Sequence, residues 1–431
     1  MKTALKTYCK NFVHQHSTLI ENMSYMTLLQ VFLMIAPLIT YPYLVRVLGK
    51  EVNGWVLTAQ MLASYFSILI DFGSNSVCAK HVAVAKGDKS KLSEIVCSVF
   101  YTRFALAVTG FFIYIAIVLL VPSYRTHATL FILSYGMTLN ELLFPQYFYQ
   151  GIEKMKLTAI TNVVIKLIFI ALIFIVVHSP EDYFYVPIFY AIGYGVAGLI
   201  AMWIIFRNMH IPISMPSWSA MKIYIKDSAS IFATDVVCTI KDKVNYLLLG
   251  AFIGMESVTV YDLGLKLNSI LAQPYNIIRT VIFPRSAQTR DLQKIKKSIL
   301  IIFLITLTSV ILVNLFLDPI VAYFLDDATI DNLPVRLLLI APVILSVSVP
   351  IATNVFVALG YNKYVLYSII VTTVVYLVAL LALLFSGHLS SIYSFIFLAL
   401  ISYLTELLYR LYAYKKIANL EHKKNEYDTK N

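Results

Sequence analysis

Charge is what this chain has least of. Asp, Glu, Lys and Arg together make up 13% of its 431 residues, against about 25% in a soluble domain. Mean hydropathy is +0.78 and 59% of residues are hydrophobic, which excludes an ordinary water-soluble globule. Cysteine is scarce too: Cys9, Cys78, Cys97 and Cys238 are scattered with no CxxC spacing, which excludes a disulfide framework or a thiolate metal site. The eight histidines show no HxxxH or HExxH spacing. No G-x-x-x-x-G-K-[ST] loop occurs, so no ATP hydrolysis is expected. No cofactor and no metal are expected, and the reading is of a transporter rather than an enzyme. The first 23 residues are polar and lack the short apolar run of a cleavable signal.

Long apolar runs, by contrast, recur along the whole length. Each is near the ~20 residues that cross a hydrocarbon core of about 30 Å. Twelve are expected, at about 24–45, 55–73, 95–121, 128–149, 157–177, 185–206, 229–253, 258–283, 298–317, 335–357, 365–385 and 392–412. The expected fold class is an all-α integral membrane protein, with about twelve transmembrane helices in two pseudo-symmetric six-helix bundles around a central cavity. The expected organisation is a cytoplasmic N-terminal segment 1–23, a first bundle 24–206, a cytoplasmic linker 207–227, a second bundle 228–412 and a cytoplasmic tail 413–431, read as charged and disordered. Net charge is +11, and the sign alternates between connections. Lys86, Lys89, Lys91, the Arg285–Lys297 segment, Lys415 and Lys416 fall on one side. Glu181, Asp182, Asp318, Asp326, Asp327 and Asp331 fall on the other. This positive-inside pattern puts both termini in the cytoplasm. The dispersal of the basic residues in short loops argues against nucleic acid as a partner.

The charges inside the runs carry the functional reading, because each costs at least about 2.5–3.5 kcal/mol at membrane depth. They concentrate between Asp235 and Thr280. Asp235, Thr239, Asp242 and Tyr246 share one helical stripe, with Lys241 and Asn245 beside it. Asp262, Lys266, Ser269, Gln273, Asn276 and Thr280 form a second stripe. Two polar stripes on neighbouring spans imply a wet, charged cavity. The plainer reading is that these charges cross-pair to hold the bundle. Lys241, Lys243, Lys266, Arg279, Arg103, Lys166 and Arg46 are the candidate cations for an anionic substrate. Asp235, Asp242, Glu141 and Asp71 are the candidate acids for ion coupling. Arg336 and Arg410 lie near span ends and are expected to snorkel, with Glu406 and Arg410 as an i, i+4 pair.

The halves echo each other. Leu48-Gly49-Lys50-Glu51 recurs as Ile253-Gly254-Met255-Glu256, Gly151 with Lys154 recurs as Gly360 with Lys363, and a basic loop follows the second and the eighth spans. Together these suggest a parallel repeat.

Four stretches carry a family likeness: Pro42-Tyr43-Leu44-Val45-Arg46-Val47-Leu48-Gly49; Asp71-Phe72-Gly73; Tyr149-Gln150-Gly151-Ile152-Glu153-Lys154-Met155-Lys156; and Phe283-Pro284-Arg285. They resemble the Wzx-type O-antigen or polysaccharide repeat-unit flippases of the multidrug/oligosaccharidyl-lipid/polysaccharide exporter superfamily. The likeness covers nearly the whole chain and departs at Ser74, where the family often continues with an aromatic. It implies a twelve-helix, two-bundle fold in the bacterial inner membrane. It implies translocation of an undecaprenyl-pyrophosphate-linked oligosaccharide from the cytoplasmic to the periplasmic leaflet by ion-coupled alternating access. It also implies contact with the lipid bilayer, a polysaccharide polymerase and a chain-length regulator. A cation-coupled drug exporter and a lipid-II flippase of the same superfamily stay open as alternatives. A membrane-embedded polymerase or glycosyltransferase would need a large catalytic loop, and the longest outward one is about 318–334.

Overall fold

The computed structural model describes the backbone of residues 17–428. The side chains of residues 17–24, 26–31, 33, 238–242, 280–281, 284–285, 287, 289 and 422–428 lie outside the described ones. The expected N-terminal segment therefore falls almost wholly outside them. The described chain is helical, with no strand among its residues. Eight helices have the length and hydropathy of a membrane span. One of them, Met34–Val84, holds 51 residues, enough at 1.5 Å per residue for two crossings. Three of the twelve expected spans are not in that set. The 128–149 stretch is broken into short pieces. The 258–283 stretch is divided at Ala272 into two helices of 17 residues each, and the 229–253 stretch includes side chains outside the described ones.

The chain divides after Val236 into two compact units. The first begins with α1 (Ser17–Asp71), which changes direction at Gly49, whose φ of 79° and ψ of 161° are not helical. Then come α2 (Ser74–Val84) and α3 (Lys89–Leu120). The short helices α4 (Pro122–Arg125), α5 (Ala128–Tyr135), α6 (Leu139–Leu143) and α7 (Gln146–Gly151) follow, with Pro145 separating the last two. Helices α8 (Met155–Val176) and α9 (Tyr185–Trp203) complete the run. After a non-helical stretch at 210–217, α10 (Trp218–Phe252) starts in this unit and crosses the boundary.

The second unit continues with α11 (Met255–Leu271), α12 (Gln273–Thr289), α13 (Leu292–Leu315), α14 (Leu317–Leu325), α15 (Leu333–Leu338) and α16 (Ile340–Pro350). The last of these runs into a seven-residue π-helix, Ile351–Val357. Helices α17 (Lys363–Phe385) and α18 (Ile392–Asp428) close the chain. Residues 413–421 are not a loose tail. Helix α18 continues through them because Ala413 and Ile417 are fully buried. Glu421 is held there by Arg290 Nη2 at 3.0 Å and by the Tyr361 hydroxyl at 2.9 Å. In the loop region, Arg336 donates to Asp318 at 2.5 Å and to the Asn314 carbonyl at 2.8 Å, so its charge is paired. Hydrogen bonds from Asn332 and Arg336 hold the Asp318 carboxyl below the usual carboxylate range.

The sequence echo between the halves is visible in local geometry. Gly49 and Gly254 both have positive φ with extended ψ (79°/161° and 129°/165°), and each separates two helices. Asp88 caps α3, accepting from the backbone of Ser90 and Lys91 at 3.0 and 3.1 Å. Asp291 caps α13, accepting from Gln293 and Lys294 at 3.0 and 3.1 Å. Each cap also pairs with the lysine three residues on, Lys91 or Lys294. Both basic connections thus use the same N-cap device to start a long helix.

The Asp71-Phe72-Gly73 turn ends α1 with two left-handed residues, Phe72 at φ 48° and Gly73 at φ 70°. Gly73 also lies against α10, where a Cβ would sit 2.9 Å from the Phe232 nitrogen and 3.0 Å from the Ser228 carbonyl. Phe72 stacks on Phe232 at 4.3 Å. The turn therefore docks the start of α10 onto the first unit. Gly73→Ala carries both the left-handed penalty, roughly 1–2 kcal/mol, and a backbone clash. Gly87 has a φ of 100° with nothing within 4 Å of an added Cβ, so Gly87→Ala carries only the first. Thermal melting of the purified variants should show the larger drop for Gly73→Ala; equal drops would contradict this account of the turn.

Candidate functional site

Each unit gathers its own cluster of membrane-depth polar groups. In the first, the turn after α1 brings Asp71 to Arg103 on α3 and Glu141 on α6. Arg103 is 2% exposed and uses its whole fork. Nη2 donates to Asp71 Oδ1 at 2.5 Å, Nε to the Ser74 hydroxyl at 3.0 Å and Nη1 to the Glu141 carbonyl at 2.6 Å. Its guanidinium lies 5.3 Å from the Tyr147 ring centre. The Glu141 carboxylate accepts from Asn75 at 3.3 Å and Asn140 at 2.9 Å. Asp71 accepts in addition from the Asn75 backbone at 3.2 Å. Asp235 on α10 lies near enough for its charge and that of Asp71 to interact. A narrow crevice of about 10 Å³ opens beside this network, lined by Asp71, Phe72, Thr102, Arg103 and Ser228 among others. Three of the candidate residues, Arg103, Asp71 and Glu141, are thus in one hydrogen-bonded group, with Asp235 close by.

In the second unit the two polar stripes meet. Tyr246 on α10 donates to Asp262 Oδ1 at 2.8 Å, and Lys266 pairs with the other oxygen of Asp262 from one turn along α11. Asp262 is almost fully covered, while the Lys266 side chain keeps 28% exposure. Next to this pair, Asn245 donates to the Tyr261 hydroxyl at 3.1 Å and accepts from Tyr376 at 2.6 Å. These three buried groups line a pocket of about 180 Å³ with Leu265, Ser402 and Tyr403. Arg279 on α12 donates to Asn276 at 3.0 Å. The outer part of the α11 stripe is satisfied by its own backbone: Ser269 donates to the Lys266 carbonyl at 2.7 Å and Gln273 to the Ser269 carbonyl at 3.1 Å. Asn268, 9% exposed, has neither amide atom hydrogen-bonded.

The other candidates are dispersed. Lys243 is half-buried on α10. The side chains of Lys241 and Asp242 lie outside the described residues, as do those of Thr239 and Thr280. Lys166 on α8 has its ammonium 5.7 Å from the Tyr190 ring centre and no carboxylate partner among the described residues. Arg46 is exposed, three residues before the break at Gly49. Arg410 does not snorkel. It is 5% exposed, pairs with Glu406, and donates to the Ser348 hydroxyl at 3.0 Å and the Ser368 hydroxyl at 3.3 Å. The sequence reading missed the seam that makes this possible. Ser368, Thr372 and Tyr376 recur every four residues on α17. Ser402, Glu406 and Arg410 do so on α18. All six are buried. The i, i+4 spacing of polar groups in two otherwise apolar runs was the available signal.

A description of the polysaccharide biosynthesis protein family matches residues 19–290, more than half the chain. A protein of Escherichia coli (strain K12) described as "Putative O-antigen transporter" is 26% identical over 347 residues, covering 79% of this chain and 84% of its own length. Among solved structures, the lipid II flippase MurJ in an inward closed conformation superposes with a TM-score of 0.69 at 13% identity, covering 90% of this chain and 87% of its own. An inward-facing multidrug resistance MATE family transporter of the MOP superfamily gives a TM-score of 0.65 at 15% identity, covering 90% of this chain and 96% of its own. The chain is therefore an all-α, multi-pass membrane protein with the fold of these transporters, and it belongs to the polysaccharide biosynthesis protein family.

Proposed function

We propose that this chain is a flippase for an undecaprenyl-pyrophosphate-linked oligosaccharide, a repeat unit of O-antigen or a related surface polysaccharide. It moves its substrate from the cytoplasmic to the periplasmic leaflet of the bacterial inner membrane by ion-coupled alternating access. The need for a carrier is physical. Each unpaired hydroxyl costs roughly 2–7 kcal/mol in hydrocarbon and an ionised phosphate far more. The inside-negative potential favours outward movement of an anion by roughly 2.3 kcal/mol per charge per 100 mV.

The observation that carries this reading is the pocket of the second unit. It holds an amide, a serine hydroxyl and three tyrosines, with Lys266 one residue from its wall at Leu265. Amide and hydroxyl groups exchange hydrogen bonds with sugar hydroxyls, and tyrosine faces pack on the apolar side of a sugar ring. An ammonium half-open to the surroundings supplies a point charge for phosphate. We assign phosphate contact to Lys266, Lys243 and Arg279, with Lys241 on the same stretch. Each nitrogen of Arg103 is already engaged within the first unit, so we assign it to holding that unit together. Asp71, Glu141 and Asp235 are the proton or cation site, because three carboxylates stand against one guanidinium. That imbalance is also what a cation-coupled drug exporter would use, and it keeps that second reading in play.

Deletion of the gene should leave lipid-linked oligosaccharide on the cytoplasmic leaflet and stop surface polysaccharide. No change in either would defeat the proposal, and restored export by a drug substrate assay would favour the exporter. In complementation, Lys266→Ala and Arg279→Ala should cut polysaccharide at least tenfold while membrane protein level stays near wild type. Arg103→Ala strands Asp71 without its partner, a change worth roughly 3–5 kcal/mol. Immunoblotting should show that variant's protein level falling together with its activity. A normal level of inactive Arg103→Ala would place the guanidinium in substrate contact instead.

A further inference from the structure

An apolar groove runs between α13, α16 and α18 in the second unit. Its volume is about 300 Å³, and Ile299, Phe303, Val347, Ile351 and Leu411 line it together with Lys296. The groove lies at the junction where α16 passes into the π-helix at Ile351. A π-turn widens a helix and displaces its neighbours. Lys296, Ile299, Leu300 and Phe303 share one stripe of α13, so the lysine stands on the groove's own face. On α18, Leu411, Tyr414 and Lys415 do the same. Ile295 and Ile299 belong to one buried cluster with Ala413 and Ile417, next in sequence or close to Lys296 and Lys415.

Among the described residues no carboxylate neutralises these lysines. Lys296, Lys297, Lys415 and Lys416 are exposed, and no carboxylate pairs with them among the described residues. The acids nearby are already engaged: Asp291 with Lys294 at 2.8 Å, and Glu421 with Arg290 at 3.0 Å. The first turns of α13 are also the wrong place for cations, since a helix N-terminus carries partial positive charge. An apolar trough flanked by exposed lysines that no carboxylate pairs among the described residues matches an amphiphile with an anionic head. We propose that this groove binds an anionic glycerophospholipid, one acyl chain lying along Ile299 and Phe303 and the phosphate held by Lys296 and Lys415.

The occupant is a resident lipid of the bilayer, so the proposal stands or falls apart from the transport reading. The test uses full-length protein in detergent, stripped of lipid and titrated with micelles containing phosphatidylglycerol or phosphatidylcholine. Native mass spectrometry and the melting temperature are the readouts. Wild type should bind phosphatidylglycerol at least tenfold more tightly than phosphatidylcholine. The double variant Lys296→Gln/Lys415→Gln should lose about fivefold per lysine and with it the preference. Leu300→Trp, which fills the trough, should weaken both lipids; it carries the test should the double variant not fold. Equal binding of the two lipids by wild type would overturn the proposal, as would a preference that survives both changes. Displacement of phosphatidylglycerol by a polyprenyl diphosphate at lower concentration would also overturn it, and would assign the groove to the transported lipid.

Discussion

A guanidinium cannot shed its proton at membrane depth, so every buried arginine in this chain must arrive with its partners already fixed. Arg103 and Arg410 show the same solution built from different parts. Each is under 6% exposed. Each faces one carboxylate, Asp71 or Glu406, and also donates to a backbone carbonyl and to serine hydroxyls, one for Arg103 and two for Arg410. The pairing does not by itself add stability, because desolvating two ions costs several kcal/mol each. What it does is specify. Arg103 is satisfied only if the Asp71-Phe72-Gly73 turn, α3 and the α6 carbonyl all take their places. Arg410 is satisfied only if α16, α17 and α18 do. A misregistered helix would strand a charge in an apolar surrounding, and that penalty separates the native packing from its competitors.

The duplication reads differently at different levels. Glycine at the helix break and aspartate at the helix start persist in both units because local geometry demands them. Only glycine tolerates the backbone of Gly49 and Gly254 without strain, and an exposed N-cap needs only a side-chain acceptor. The buried polar networks show no such correspondence. The first unit's arginine sits on the helix that Asp88 caps. The helix that Asp291 caps carries Thr306 at the buried level and no arginine. Turns and caps are local and survive divergence. Networks depend on several helices at once and are rebuilt together or not at all.

Much of the fold could be read from residues alone. Apolar runs near 20 residues set the helices, scarce charge set the membrane, and Gly49 and Gly254 marked the breaks. The 128–149 run was harder. Its hydropathy is that of a span, yet Pro145 and the turn at Gly136–Thr138 divide it into short helices. Residues 413–421 misled in the opposite sense. Their lysines read as a solvated tail, but Ala413, Ile417 and Glu421 recur every four residues on one face, and burial of that face holds the helix together. In the site, the α10 and α11 stripes were legible because charges are rare and their spacing is visible. The α17 and α18 seams were not, because serine and threonine in a span usually bond back to their own helix. That is what Thr372 does with Ser368 at 2.7 Å and Ser402 with Leu398 at 2.8 Å. Only the partner helix distinguishes a self-satisfied hydroxyl from one that receives an arginine.

The sealed cations Arg103 and Arg410 are arginine, and the cations proposed to meet substrate are mostly lysine, with Arg279 the exception. Where the cation is sealed, it is arginine, whose five donors in a fixed fork answer several acceptors at once. Several of the cations that keep an open side, among them Lys266, Lys166 and Lys296, are lysine, a point charge on a flexible stem with donors to spare. A carrier must release what it binds, and a single ammonium lets go of a phosphate more readily than a bidentate clamp. Lys266 already shares Asp262 with Tyr246, so a bound anion would compete for an ammonium whose resting partner is one turn away. Such an exchange of partners needs no rearrangement of the helix, whereas freeing Arg103 would unmake three hydrogen bonds and freeing Arg410 at least four contacts.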